Sequence, residues 1–107
     1  MNLSVKNIFA GLSKGPDRGE EVLTLLENFS VRIERIVSRH HSSPPGFWYD
    51  QSGDEWVIVL RGSATLEFES GESVEMSAGD YLEIPRHVKH RVARTGAETI
   101  WLAVHLK

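Results

Sequence analysis

Two residues combine a reactive side chain with a strand pattern that turns it inward: Glu55, heading the stretch EWVIVLRG, and His90, within VKHRVA. In VKHRVA, Val88, His90 and Val92 alternate with Lys89 and Arg91, so a strand that keeps its charges in water points His90 at the interior. Glu55 shares the parity of Val57 and Val59. On one phase its carboxylate enters the same interior; on the other it is an exposed strand end in the acidic turn Gly-Asp-Glu. An inward histidine alone is more often a hydrogen-bonded core residue than a ligand. Beside a carboxylate it becomes one of two ligands for a divalent metal of nitrogen and oxygen preference: Fe, Mn, Ni, Zn or Cu.

The other histidines are weaker candidates. His40 and His41 precede a Pro-Pro turn and read as a solvated pair, whereas His105 has the parity of Trp101 and Ala103 and reads as interface or core. His87, three residues before His90, is a candidate ligand or a support for one. Of the aromatics, Trp48, Tyr49 and Tyr81 are the ones expected to reach a cavity, against the plainer reading that they fill a core. No serine nucleophile, P-loop or dinucleotide fingerprint is present.

These residues need a scaffold. The first 19 residues are rich in turn formers and read as an arm. In EEVLTLLENF, Val22, Leu25, Leu26 and Phe29 stand at helical spacing with Glu20 and Glu21 in the first turn, which predicts one short helix. VRIERIV sets Val31 and Ile33 against Arg32 and Glu34 and then slips, predicting a half-buried strand with a bulge near Arg35. Beyond it, Ser-Gly-Asp, Ser-Gly-Glu and Ala-Gly-Asp divide the chain into short strands, the mark of an antiparallel sandwich or barrel. The division expected is an arm and helix over residues 1–30, packed on a barrel over residues 31–107.

A chain of 107 residues with 25% charged and 40% hydrophobic residues supports one core. The net charge of -3, with scattered Lys and Arg, gives no footprint for nucleic acid or an anionic membrane. The absence of cysteine excludes thiolate sites and disulfides. With no apolar run of spanning or secretory type, the expectation is a soluble, cytoplasmic protein with a small-molecule partner. WVIVL and IWLAV are apolar on both faces and need an outer cover, from the N-terminal segment or from a second copy; a homodimer is expected.

The sequence resembles the cupin superfamily. Its first motif carries a His-x-His pair, three or four residues, a glutamate, six residues and a glycine; Glu55, WVIVLR and Gly62 fit the second half. Its second motif is matched by Gly79, DYLEI, Pro85, Arg86, His87, VK and His90, with His87 standing at the motif's last glycine. The resemblance implies an all-β jelly-roll barrel (a double-stranded β-helix), often dimeric, with one metal at its mouth. Glu55 and His90 match the ligands and the paired histidines do not. One register places Trp48 and Asp50 there, so that Asp50 completes an Asp, Glu, His set; the other places Tyr49 and Gln51. The implied function is a metal-binding cupin acting as a small oxygenase or isomerase. The alternatives are a binding or sensing cupin that has lost its metal, and Glu55 with His90 as an acid-base pair without one.

Overall fold

Glycine turns set the strand boundaries. Gly62 reverses the chain at a φ of +83°, and a Cβ there would stand 2.3 Å from the Glu98 carbonyl oxygen, so only glycine fits. The computed structural model describes residues 1, 3–12 and 15–107 and is built of β-strands. In chain order they are β1 (Gly19–Glu27), β2 (Val31–Arg39), β3 (Glu55–Arg61), β4 (Ser63–Phe68), β5 (Ser73–Ser77), β6 (Tyr81–Ile84), β7 (His90–Thr95) and β8 (Thr99–Leu106). They form two antiparallel sheets, ordered β1-β2-β8-β3-β6 and β5-β4-β7. This is the all-β, double-sheet barrel expected. Its core lies between the sheets, where Val57, Val59, Trp101 and Ala103 of the larger meet Ala64, Leu66, Met76 and Val92 of the smaller.

The expected helix is instead β1, which pairs with β2 from Gly19 to Glu27. The register shifts between Thr24 and Leu26. One inserted residue places leucines at 25 and 26 after Val22, reproducing a helical spacing in extended chain. The free edge of β2 supplies hydrogen bonds along the whole segment, whereas a lone short helix must bear its own nucleation cost. Asn28 closes the hairpin by accepting bonds from the Ser30 and Val31 amides. The bulge therefore lies in β1 and not near Arg35: β2 pairs with β8 without a break from Val31 to Ser38.

The half-buried strand expected here is β2, and its phase puts charged side chains on both faces. Arg32, Glu34 and Ile36 face the barrel interior, while Arg35 and Arg39 are buried on the outer face. There Arg35 donates to the carbonyls of Ile8 and Ala10, and Arg39 to that of Leu12. Residues 8–12 thereby lie over the outer face of the larger sheet, beside Val37 and Ile100, which are fully buried. Guanidinium groups suit this task because their fork satisfies several carbonyls of an irregular segment at once.

Candidate functional site

The register brings chemistry to one end of the barrel. Glu55 begins β3 and pairs with His105 near the end of β8; His105 in turn pairs with Arg32 at the start of β2. Directly paired residues share a face, so Glu55, His105 and Arg32 form a row on the interior side. His90 begins β7 in the opposite sheet and faces them. Between the walls is a cavity of about 210 Å³, floored by apolar side chains including Val57, Leu66, Val92 and Trp101. That is on the order of seven water volumes at ~30 Å³ each, room for a small metabolite and little more.

Glu55 and His90 meet there. Glu55 Oε1 is 3.6 Å from His90 Nε2, with side chains only 9% and 7% exposed. His90 Nδ1 lies 2.9 Å from the Val88 carbonyl oxygen. A carbonyl only accepts, so Nδ1 carries hydrogen and Nε2 of a neutral ring would turn a bare lone pair toward a carboxylate. The arrangement is favourable when a further proton lies between them. Burial acts most strongly on His90 and opposes its charge, yet the Glu55 hydrogen bond, the Val88 carbonyl and the Glu55 charge outweigh it and raise the pKa.

Tyr49 completes this wall. Its backbone exchanges two hydrogen bonds with His90, at 2.7 and 3.1 Å, and its ring stacks on the imidazole with centroids 5.5 Å apart. Burial first, then the charges of Glu20, Glu55 and Glu34, raise its pKa, so the phenol stays neutral and able to donate.

The bridge between Tyr49 and His90 also decides the register of the first motif. Tyr49 and Gln51 line the cavity, and Asp50 is turned out of it. Asp50 Oδ1 instead bonds His87 Nδ1 at 2.8 Å on the exposed surface. His87 keeps the left-handed backbone of the motif glycine it replaces, with a φ of +62°, and its amide donates to the Gln51 carbonyl. Asp50 and His87 thus clasp two loops and do not join Glu55 and His90. Trp48 is half-buried outside the cavity lining. Tyr81 is exposed against Trp56, because it pairs with the outward Ile58.

A second pair escaped the sequence reading. His105 Nε2 lies 2.8 Å from Glu34 Oε1, and Glu34 Oε2 is 3.2 Å from Arg32 Nε. The parity of His105 with Trp101 and Ala103 signalled an inward ring, but nothing local indicated that Glu34 would meet it. Glu20 lines the same cavity and accepts from Ser38 Oγ.

These donors do not fit the metal site that the resemblance implies. Glu55 and His90 supply two ligands, and the paired-histidine positions hold Tyr49 and Gln51. Asp50 is committed to His87 and His105 to Glu34. Among the described residues no group of three or more His, Asp or Glu side chains is placed to hold an ion. A first-row metal held by protein ordinarily needs at least three such ligands.

Comparison with known proteins agrees with the fold. No curated protein matches the chain. It is similar, at 44% identity and a TM-score of 0.90, to a Ralstonia eutropha protein provisionally named a mannose-6-phosphate isomerase, with 98% of this chain and 99% of that one covered. A cupin superfamily protein of Desulfitobacterium hafniense matches with a TM-score of 0.80 at 20% identity, covering 99% of this chain and 94% of the other. A Methanocaldococcus jannaschii cupin with a double-stranded β-helix fold matches with a TM-score of 0.71 at 21% identity, over 83% and 81% of the two chains. The family model of the cupin domain matches residues 36–105, which hold Glu55, His90 and the strands that carry them. The chain therefore belongs to the cupin domain family.

Proposed function

We propose that the cavity binds a small hydroxy-carbonyl compound and that Glu55 and His90 move protons on it, making the protein an isomerase that works without a metal. The observation that carries this reading is the buried carboxylate and imidazole, 3.6 Å apart, with His90 Nδ1 held by the Val88 carbonyl so that Nε2 faces Glu55. Such a pair offers both a base and an acid to one ligand. The Ralstonia relative's provisional name supports the reaction class. In an isomerisation the Glu55 carboxylate takes the proton from the hydroxyl-bearing carbon while the His90 imidazolium gives one to the carbonyl oxygen. Glu55 returns its proton to the neighbouring carbon of the resulting enediol while the original hydroxyl gives up its own proton, so the carbonyl has moved by one position with nothing oxidised overall.

The test is deuterium wash-in from D2O into small hydroxy-ketones, followed by NMR with and without EDTA. The expected result is exchange that chelator leaves unchanged and Glu55→Gln lowers by about a hundredfold. Exchange that is lost with EDTA and restored by a first-row metal would return Glu55 and His90 to the role of metal ligands. Binding without exchange would identify a sensing module.

The same reading includes a homodimer formed at β1. This strand is a nine-residue edge whose Val22, Leu23, Leu25 and Leu26 are each about half exposed. A free edge of that length and apolarity is a pairing template, and a second copy related by a two-fold axis satisfies it on both sides. Sedimentation should give twice the chain mass, falling to one chain in Leu23→Lys with Leu25→Lys. A monomeric wild type would overturn this part.

A further inference from the structure

We infer that Arg32, Glu34 and His105 form a second working wall of the cavity, which restricts its ligand to uncharged hydroxy-carbonyl compounds and supplies the second proton-transfer group that isomerisation needs. This rests on the isomerase reading above and goes beyond it in naming the substrate class and a second imidazole.

The restriction follows from charge. Among the described residues three carboxylates, Glu20, Glu34 and Glu55, line the cavity against one guanidinium, Arg32, which already lies 3.2 Å from Glu34. A phosphate or carboxylate entering here meets more negative than positive charge on walls that are largely shielded from bulk solvent. Hydroxyl groups suit the same wall, because each carboxylate has several lone pairs to accept them and Tyr49 has a hydroxyl to donate.

The second imidazole answers a requirement of the chemistry. When a carbonyl moves to the neighbouring carbon, one oxygen gains a proton and the other loses one. The carboxylate of Glu55 carries the carbon-bound proton from one carbon to the next and ends unchanged. The imidazolium of His90 supplies the first oxygen. The second oxygen needs a base, and His105 stands directly across the β3 and β8 pairing from Glu55. Its Nε2 lies 2.8 Å from Glu34 Oε1, so the neutral ring donates there and leaves Nδ1 bare, with no hydrogen-bond partner among the described residues. The two imidazoles thus differ in what their nitrogens face: both of His90 are turned to acceptors, the Val88 carbonyl and Glu55, which suits a proton donor, whereas His105 keeps one nitrogen open to accept. After turnover His90 is one proton short and His105 one proton rich, and exchange with water at the mouth restores both.

The experiment uses dihydroxyacetone and dihydroxyacetone phosphate as probes, with wild type, His105→Gln and Glu34→Gln. Ligand-observed NMR measures binding; deuterium wash-in reports enediol formation, and the appearance of the corresponding aldehyde reports completed isomerisation. The neutral probe should bind at least about tenfold more tightly than its phosphate. His105→Gln, whose amide can still donate to Glu34, should keep wash-in within about threefold while aldehyde formation falls by about a hundredfold. Glu34→Gln, which keeps the ring but removes the carboxylate, should show the same split to a lesser degree. Preference for the phosphate overturns the substrate class, and equal effects on both rates, or none on either, overturn the role of His105. Failure of wild type to bind or exchange either probe removes the isomerase reading, and this inference with it.

Discussion

Two of the carboxylate and imidazole pairs near the mouth of the barrel are of opposite character. Asp50 and His87 are 2.8 Å apart with side chains 42% and 65% exposed, whereas Glu55 and His90 are 3.6 Å apart and almost fully buried. By distance the first is the better bond. By consequence it is the lesser one, because water screens both partners and competes for their hydrogen bonds, and exposed pairs of this kind contribute about 0 to 1 kcal/mol. The buried pair is loose, yet both side chains are shielded from bulk solvent, so the Glu55 charge acts on His90 with little screening. Burial, and not bond length, separates a loop clasp from a proton-handling site.

The largest expected effect follows from that dependence. Glu55→Gln keeps the shape of the site and removes the charge that favours a protonated His90. The histidine pKa, read by NMR titration, should fall, and the folded state should lose about 2 kcal/mol at mildly acidic pH. The sign follows from the raised pKa of His90. A group that binds its proton more tightly when folded contributes stability in full below its unfolded pKa, about 6.5. That contribution is lost as pH rises through the folded value. Denaturation of wild type and variant should therefore differ most below the unfolded pKa of about 6.5 and converge as pH rises through the folded value. A difference that grows with pH would mean that folding lowers the His90 pKa instead of raising it, and the contrast between the two pairs would lose its basis.

Much of the scaffold was legible in the sequence because its signals are local. Gly62 and Gly79 sit where the backbone adopts positive φ, and Ala64 and Leu66, which alternate with Thr65 and Glu67 in SATLEF, lie in the core. The inward turn of Glu55 and His90 was likewise readable from strand parity and motif spacing. What failed depended on partners distant in sequence. β1 imitates a helix because a bulge shifts its leucines, and only the waiting edge of β2 shows that the segment is extended. The choice between Asp50 and Tyr49 was a one-residue register, settled by the bridge to His90 forty-one residues on. Glu34 meets His105 across 71 residues, a contact that exists only once β2 and β8 are paired. The half-buried reading of β2 could not place its charges, because this strand has a polar cavity on one side and an irregular segment rich in carbonyls on the other.

The smallest expected effect belongs to the exposed pair, and it is the sharpest check on the register. Asp50→Ala removes a contact that water replaces, so stability should change by less than about 0.5 kcal/mol and wash-in should be unaltered. His87→Gly loses the same contact but returns glycine to a backbone of φ +62°. The relief of that conformation, worth about 1 kcal/mol, offsets the loss and leaves the variant at or slightly above wild-type stability. Both values can be read from urea denaturation at neutral pH. If Asp50→Ala abolished ligand binding, the carboxylate would have to reach the cavity, and the alternation that turns Tyr49 and Gln51 inward would be wrong. A fall in stability comparable to that of Glu55→Gln would show instead that the clasp is shielded from water, and exposure would no longer distinguish the two pairs.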